Sequence, residues 1–309
     1  MKKIAFLFPG QGSQYVGMGK EVYENFNESK EIFEIANKEL STNICELCFE
    51  DKENKLDITE YTQPALLTVS IALLQLLKKE GIKPDVVAGL SLGEYSALVC
   101  SGVLKFEDAI KLVKKRGRFM QEAVPVGMGG MAAVIGLDKE TVISVCEKAK
   151  DFGIIEVANF NCPGQIVIGG ENEALEKACD LAKEVGAKRV IKLQVSAPFH
   201  TSMLKNAGDN LEKALESIET YEGNTKIITN VTGDYINKGF KENLKRQVVS
   251  SVKWEQSIRK MIDDGIEIFI EIGPGKTLSS FVKKIDRKLK TLNIEDVESL
   301  NKALEFLRT

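Results

Sequence analysis

The sequence predicts an α/β protein in which a larger domain, built on a parallel sheet, is interrupted by a smaller inserted domain. Strand-like and helical patterns alternate through both ends of the chain, which calls for a parallel sheet with helices on its faces. A central stretch runs strand, helix, strand, strand, helix, strand. Between one strand pattern and the next helix lies Gly89-Leu90-Ser91-Leu92-Gly93.

In chain order, residues 2–8 read as a first buried strand, followed by helical patterns over 17–38 and 63–80. Residues 82–88 (I-K-P-D-V-V-A) form an apolar run ahead of the glycines, and 94–100 (E-Y-S-A-L-V-C) carry apolar residues at helical spacing. A helix over 106–123 bears Lys111, Lys114, Lys115, Arg116 and Arg118. The character changes at Pro125-Val126-Gly127-Met128-Gly129-Gly130. From there the pattern gives strand 131–135, helix 139–149, strand 154–159, a turn at Asn161-Cys162-Pro163-Gly164, strand 165–168, helix 172–185 and strand 189–195. This βαββαβ order is ferredoxin-like. Its glycine-rich entry and the Ser196-Ala197-Pro198 exit mark 127–196 as an insertion into a domain formed by 1–126 and 197–309. After a helix over 202–218 come strand 226–230, helix 253–263, strand 266–272, and basic, amphipathic helices to the end.

Composition is that of an ordinary globular chain, 43% hydrophobic and 28% charged. With 42 basic and 45 acidic residues, net charge −3, it has no general electrostatic reason to bind nucleic acid or an anionic membrane. The apolar stretch 4–8 is cut off by Pro9-Gly10, too short for a signal peptide, and no stretch approaches the ~20 apolar residues needed to cross a bilayer. A cytoplasmic protein is expected. The six cysteines are scattered. Cys45 and Cys48 form a C-x-x-C with no second ligand pair, so no metal is expected. Gly273-Pro274-Gly275-Lys276-Thr277 lacks the spacing of a phosphate-binding loop and reads as a turn.

Gly89–Gly93 has the G-x-S-x-G form of a nucleophile elbow, the turn that gives the larger domain its α/β-hydrolase-like reading. The glycines leave room for a cramped reversal, and a helix starting after Ser91 aims free N–H groups at the reacting oxygen. The alternative is a glycine-rich turn with an incidental serine. Serine needs a base, and the chain has one histidine, His200, after Pro198-Phe199 in a strand-to-helix loop. Taken alone it could be a surface histidine without a task. In α/β-hydrolases the histidine usually follows the last strand, whereas here two strand patterns come after it, which disfavours an ordinary esterase.

Taken together, F-P-G-Q-G-S-Q (8–14), T-Q-P-A-L (62–66), G-L-S-L-G-E-Y-S-A-L (89–98), K-R-G-R-F-M-Q (115–121), A-N-F-N-C-P-G-Q (158–165), A-P-F-H (197–200), L-x-x-Q (244–247) and E-I-G-P-G (271–275) resemble the malonyl-CoA:acyl carrier protein transacylase family of bacterial fatty-acid synthesis. The resemblance implies a Ser91–His200 dyad with the backbone carbonyl of Gln247 orienting the imidazole. It implies an oxyanion hole from the backbone N–H groups of Gln11 and Leu92, with the glycines around Gln11 allowing close approach. It gives Arg116 the free carboxylate of a malonyl group, a task for a planar guanidinium. One more solvated charge on a basic helix fits Lys111 and Lys114 better, because Gly117 beside Arg116 points to close packing. Gln63, Asn159 and Asn161 are pocket or support residues by the same resemblance, and as bare amides they could equally serve turns and caps. Leu90 departs from the histidine usual before the nucleophile, so any role of that histidine does not transfer. Phe199 is similar to malonyl-selective members.

The implied reaction is a ping-pong malonyl transfer, with malonyl-CoA and the phosphopantetheinylated carrier protein as substrates, no bound cofactor, and a monomeric enzyme. An acidic carrier would dock on Lys188, Arg189 and Lys192, or on Lys283, Lys284, Arg287 and Lys288, although solvated faces explain either cluster as well. A serine hydrolase and a non-catalytic carrier-binding module are the other classes open to these residues.

Overall fold

The computed structural model describes residues 2–125, 127–195 and 197–308. Val126 and Ser196, where the two joins between domains are expected, lie outside the described residues. Among the described residues ten strands fall into two sheets. In chain order they are β1 (Lys3–Phe8), β2 (Val86–Gly89), β3 (Gly129–Ile135), β4 (Ile155–Cys162), β5 (Gln165–Glu171), β6 (Arg189–Lys192), β7 (Lys226–Ile228), β8 (Tyr235–Ile236), β9 (Ile266–Ile272) and β10 (Lys290–Ile294).

The first sheet has the order β10-β9-β1-β2-β7-β8, parallel except for the short β7–β8 pair. Its central strands are short apolar runs because both faces are covered. Alternation then divides the side chains. Phe6, Phe8, Val87 and Ile270 pack into the core on one face, Ala5, Leu7, Val86, Ala88 and Phe269 into the core on the other. The Thr59–Lys79 helix is apolar almost all round and fills the first of these cores.

The second sheet is antiparallel, in the order β4-β5-β3-β6. One face, with Ala132, Val134, Ile155 and Ile168, packs on the Lys139–Ala149 and Asn172–Glu184 helices. From the other face Met131, Ala133 and Val167 join the core that contains Phe6 and Phe8. The segment holding His200 runs between the sheets, with Ala197, Phe199 and Leu204 buried in that shared core.

Several expected boundaries need correction. The turn at 161–164 contracts to Pro163-Gly164, because Cys162 pairs with Gln165 and keeps Asn161 and Cys162 in β4. The pattern over 17–38 is two helices, Lys20–Asn25 and Asn27–Leu40, separated at Phe26, whose backbone is extended. Helices Ile44–Phe49 and Phe240–Val248 are additional. The C-terminal region contains a strand as well as helices, since β10 extends the parallel sheet along β9. The 273–277 segment is the expected turn, leading from β9 into the Thr277–Ile285 helix, whose Leu278 and Ser279 N–H groups donate to Glu271. Among the described residues no helix is long and apolar enough to cross a membrane.

Candidate active site

The site lies at the carboxyl ends of β1 and β2, where parallel α/β sheets place their ligands. Two loops leave those ends side by side, tied by the Leu90 N–H donating to the Phe8 carbonyl. Ser91 occupies the tip of the second loop with φ +53°, in the left-handed region. That conformation costs an L-residue roughly 1–2 kcal/mol, so its surroundings must hold it.

The flanking glycines are required by space. A Cβ at Gly89 would lie 1.9 Å from the Gly93 backbone, and one at Gly93 would lie 2.0 Å from the Phe8 carbonyl oxygen. Gly10 belongs to the same crowding, with a Cβ there 2.4 Å from the Leu90 oxygen. The expectation of close approach around Gln11 therefore applies to Gly10. At Gly12 a Cβ would meet nothing, and the requirement is its φ of +98°. Among the described residues neither the Gln11 nor the Leu92 backbone N–H donates to a protein acceptor. Both are available to an incoming oxygen.

Ser91 Oγ is 2.7 Å from His200 Nε2, and His200 Nδ1 is 2.8 Å from the Gln247 carbonyl oxygen. The carbonyl can only accept, so Nδ1 carries the proton and Nε2 is free to take one from the hydroxyl. His200 is 4% exposed. Burial foremost, and then the Arg116 charge, lower its pKa to about 4 against the bond to Gln247, which raises it.

Arg116 comes from the Phe106–Glu122 helix and is 1% exposed. Gly117 gives it the expected close packing, since a Cβ there would lie 2.6 Å from the Thr59 carbonyl oxygen. The guanidinium donates from Nη1 to Gln63 Oε1 at 2.8 Å, and from Nη2 to Gln247 Oε1 at 2.9 Å and Ser91 Oγ at 3.2 Å. Among the described residues all these partners are neutral, and Nε is buried without one. The guanidinium also sits 5.3 Å from the centre of the Tyr95 ring. Burial lowers its pKa. A buried cation held by neutral groups beside a nucleophile is a receptor for an anion.

Gln63 and Gln247 thus join the cluster. The Gln247 side chain does more than the resemblance implies, because its Nε2 also donates to the Ser91 carbonyl at 3.1 Å. Asn159 and Asn161 stand apart on β4. Asn159 forms an isolated bridge with Val252, and among the described residues the buried Oδ1 of Asn161 has no partner. Among the described residues neither side chain is hydrogen-bonded to Ser91, His200 or Arg116. A cleft of about 510 Å³ opens beside His200, lined by Phe160, Val249, Ser250, Ser251, Arg246 and Lys253 among others.

Sequence reasoning missed Asn230, Glu94 and Asn243. Ser91 N–H donates to Asn230 Oδ1 at 2.6 Å, and Asn230 Nδ2 donates to the Gly89 carbonyl at 2.7 Å. Glu94, fully buried, accepts from Asn230 N at 2.7 Å and Asn243 Nδ2 at 2.8 Å. Burial raises the Glu94 pKa to about 7 despite these donors. The G-x-S-x-G-E run was the only available signal, and an acid in a helix's first turn ordinarily reads as a dipole partner.

Residues 5–302 match the family model described as acyl transferase domain. The chain is 49% identical over 311 residues to the malonyl CoA-acyl carrier protein transacylase of Bacillus subtilis (100% of this chain, 98% of that protein). The crystal structure of a malonyl CoA-acyl carrier protein transacylase from Clostridium perfringens superposes with TM-score 0.97 at 52% identity, covering 99% of this chain and 97% of that one. A second structure, a type II PKS acyl-carrier protein in complex with its malonyl-transacylase, gives TM-score 0.96 at 39% identity, covering 98% of this chain and 99% of that one. The chain therefore belongs to the acyl transferase family and, within it, to the malonyl CoA-acyl carrier protein transacylases that it resembles.

Proposed function

We propose that the protein transfers a malonyl group from malonyl-CoA to the phosphopantetheine thiol of holo acyl carrier protein, through an ester on Ser91, in fatty-acid biosynthesis. The observation that carries this reading is the buried Arg116 guanidinium, held by neutral partners and 3.2 Å from Ser91 Oγ. It suits an acyl group that ends in a carboxylate. The names of the relatives, and the carrier protein bound in one of them, support the same donor and acceptor.

In the first half-reaction His200 Nε2 takes the Ser91 proton as Oγ attacks the thioester carbonyl. The oxyanion forms against the N–H groups of Gln11 and Leu92. As the C–S bond breaks, His200 returns the proton to the departing CoA thiolate. In the second half the phosphopantetheine thiol gives its proton to His200, its sulfur attacks the ester, and Ser91 recovers the proton as the C–O bond breaks. Arg116 holds the malonyl carboxylate through both halves. Gln63 and Gln247 hold Arg116, and Asn159 and Asn161 shape the β4 wall.

We read the antiparallel unit as a ferredoxin-like insert, 127–196, in an α/β-hydrolase-like domain formed by 1–126 and 197–309. We read the enzyme as a monomer, and a CoA thioester donor points to the cytoplasm. No cofactor takes part in these steps.

The test is carrier-dependent transfer. Purified protein with malonyl-CoA and holo carrier should yield malonyl-carrier and free CoA. Free malonate released at the same rate without carrier would replace the transferase with a hydrolase. Unchanged malonyl-CoA would leave a carrier-binding module.

A further inference from the structure

We propose that Asn230 is a positioning residue for the nucleophile, clamping the two arms of the elbow, and that Glu94 anchors the clamp. The inference rests on the reading of Ser91 as the acylated residue. A left-handed Ser91 cannot extend β2, so its N–H and the Gly89 carbonyl leave the sheet without ladder partners. One side chain, 139 residues further along, satisfies both. The Asn230 amide accepts from Ser91 N–H through Oδ1 and donates to the Gly89 carbonyl through Nδ2. This pairing fixes the amide's orientation, since a reversed amide would face a donor with a donor and an acceptor with an acceptor.

The clamp is held in turn. Asn230 is 1% exposed, and its own N–H is bound by Glu94 Oε2. The other carboxylate oxygen takes Asn243 Nδ2, and Asn243 Oδ1 accepts from Thr229 Oγ1 at 3.1 Å. Glu94 stands on the first turn of the helix that follows the elbow. The network therefore ties that helix to the loop after β7 and closes a ring around Ser91. Among the described residues it makes no hydrogen bond to His200 or Arg116, while the Glu94 charge acts on Arg116 across the site. Through Asn230 its effect on chemistry passes by way of the backbone of Ser91, keeping Oγ within reach of Nε2 and the Leu92 N–H free.

The experiment measures the rate of Ser91 ester formation by rapid quench and intact mass, with the malonyl-CoA concentration varied. Circular dichroism verifies that each variant is folded. Asn230→Ala should slow ester formation about a hundredfold, the scale of a misplacement near 1 Å, while half-saturation stays within about threefold. Asn230→Asp keeps the acceptor for Ser91 N–H and loses the donor to Gly89, so it should recover part of the rate. Glu94→Gln, which turns one acceptor into a donor facing a donor, should slow it roughly tenfold. Folded Asn230→Ala and Asn230→Asp proteins within about threefold of the parent rate would overturn the proposal, as would a loss confined to half-saturation. If the parent protein itself forms no ester, the reading of Ser91 falls and the clamp with it.

Discussion

Ser91 and its neighbours sit where parallel strands end, whereas Asn159 and Asn161 sit within the body of an antiparallel strand, and the two groups are held in opposite ways. Around Ser91, His200, Arg116 and Gln247, hydrogen bonds run from group to group, and two backbones are forced to positive φ, +53° at Ser91 and +62° at His200. On β4 the ladder supplies most of the order, with register shifts between Val157 and Asn159 and between Phe160 and Cys162 that leave Asn161 out of the pairing, and among the described residues the Asn161 amide oxygen is unpartnered. Strain concentrated on one side and absent from the other marks where the geometry is over-determined. A wall can tolerate change, while a preorganised reaction centre cannot.

Substitutions can break this contrast. Ser91→Ala should abolish the ester and lower transfer on the order of 10⁶-fold, as removing a nucleophile does in serine enzymes, and residual transfer through an ester elsewhere would show the wrong centre. Arg116→Ala should slow malonyl ester formation roughly 10²-fold, the scale for truncating one partner of a buried charge pair, and slow acetyl transfer far less. Equal losses for the two acyl groups would make Arg116 a structural support. Asn161→Ala should leave transfer within about threefold, with thermal stability unchanged or slightly raised, because it deletes a buried acceptor that has no donor. A large loss of activity there would put β4 inside the reaction centre.

The pH profile sharpens the same comparison. The reactive form needs neutral His200, whose pKa is lowered to about 4 by burial and the Arg116 charge. In Glu94→Gln protein, where the anchor no longer titrates near about 7, ester formation should therefore hold as pH falls through the ordinary histidine range near about 6.5 and decline toward the lowered value. Removing the Arg116 charge should move that acid limb upward. A limb near the ordinary histidine pKa in that Glu94→Gln background would mean that the imidazole is solvated.

The smallest effect belongs to the surface. Lys192 at the open edge of β6 is paired with Glu176, while Lys283 and Lys284 already donate to the Leu289 carbonyl and to Gln165. Reversing Lys188, Arg189 and Lys192 should raise half-saturation for the carrier severalfold and leave that for malonyl-CoA unchanged. A change in both would indicate altered structure.

The large sheet was legible because each buried strand is a short apolar run with turn residues at its end, as at 2–8 and 82–88. β10 was not, since Lys290–Ile294 is a mostly half-buried edge strand in a basic region. The helical pattern over 17–38 hid the break at Phe26, because apolar periodicity does not report an extended residue between two helices. Ser91, His200 and Arg116 were legible through motifs and through the lone histidine. The Asn230 clamp was hidden because its atoms come from residues 89, 91, 94, 230 and 243, at separations no local pattern encodes. The Gln247 side chain was hidden for the same reason, while its carbonyl came with the resemblance.

The central claim is that Ser91 carries the malonyl group between two thiols. Brief exposure to malonyl-CoA, followed by intact mass and peptide mapping, should find one malonyl adduct on the peptide containing Ser91. That adduct should persist in buffer and disappear when holo carrier protein is added, as malonyl-carrier forms. An adduct on another residue, or one lost to water as fast as to the carrier, would contradict the account.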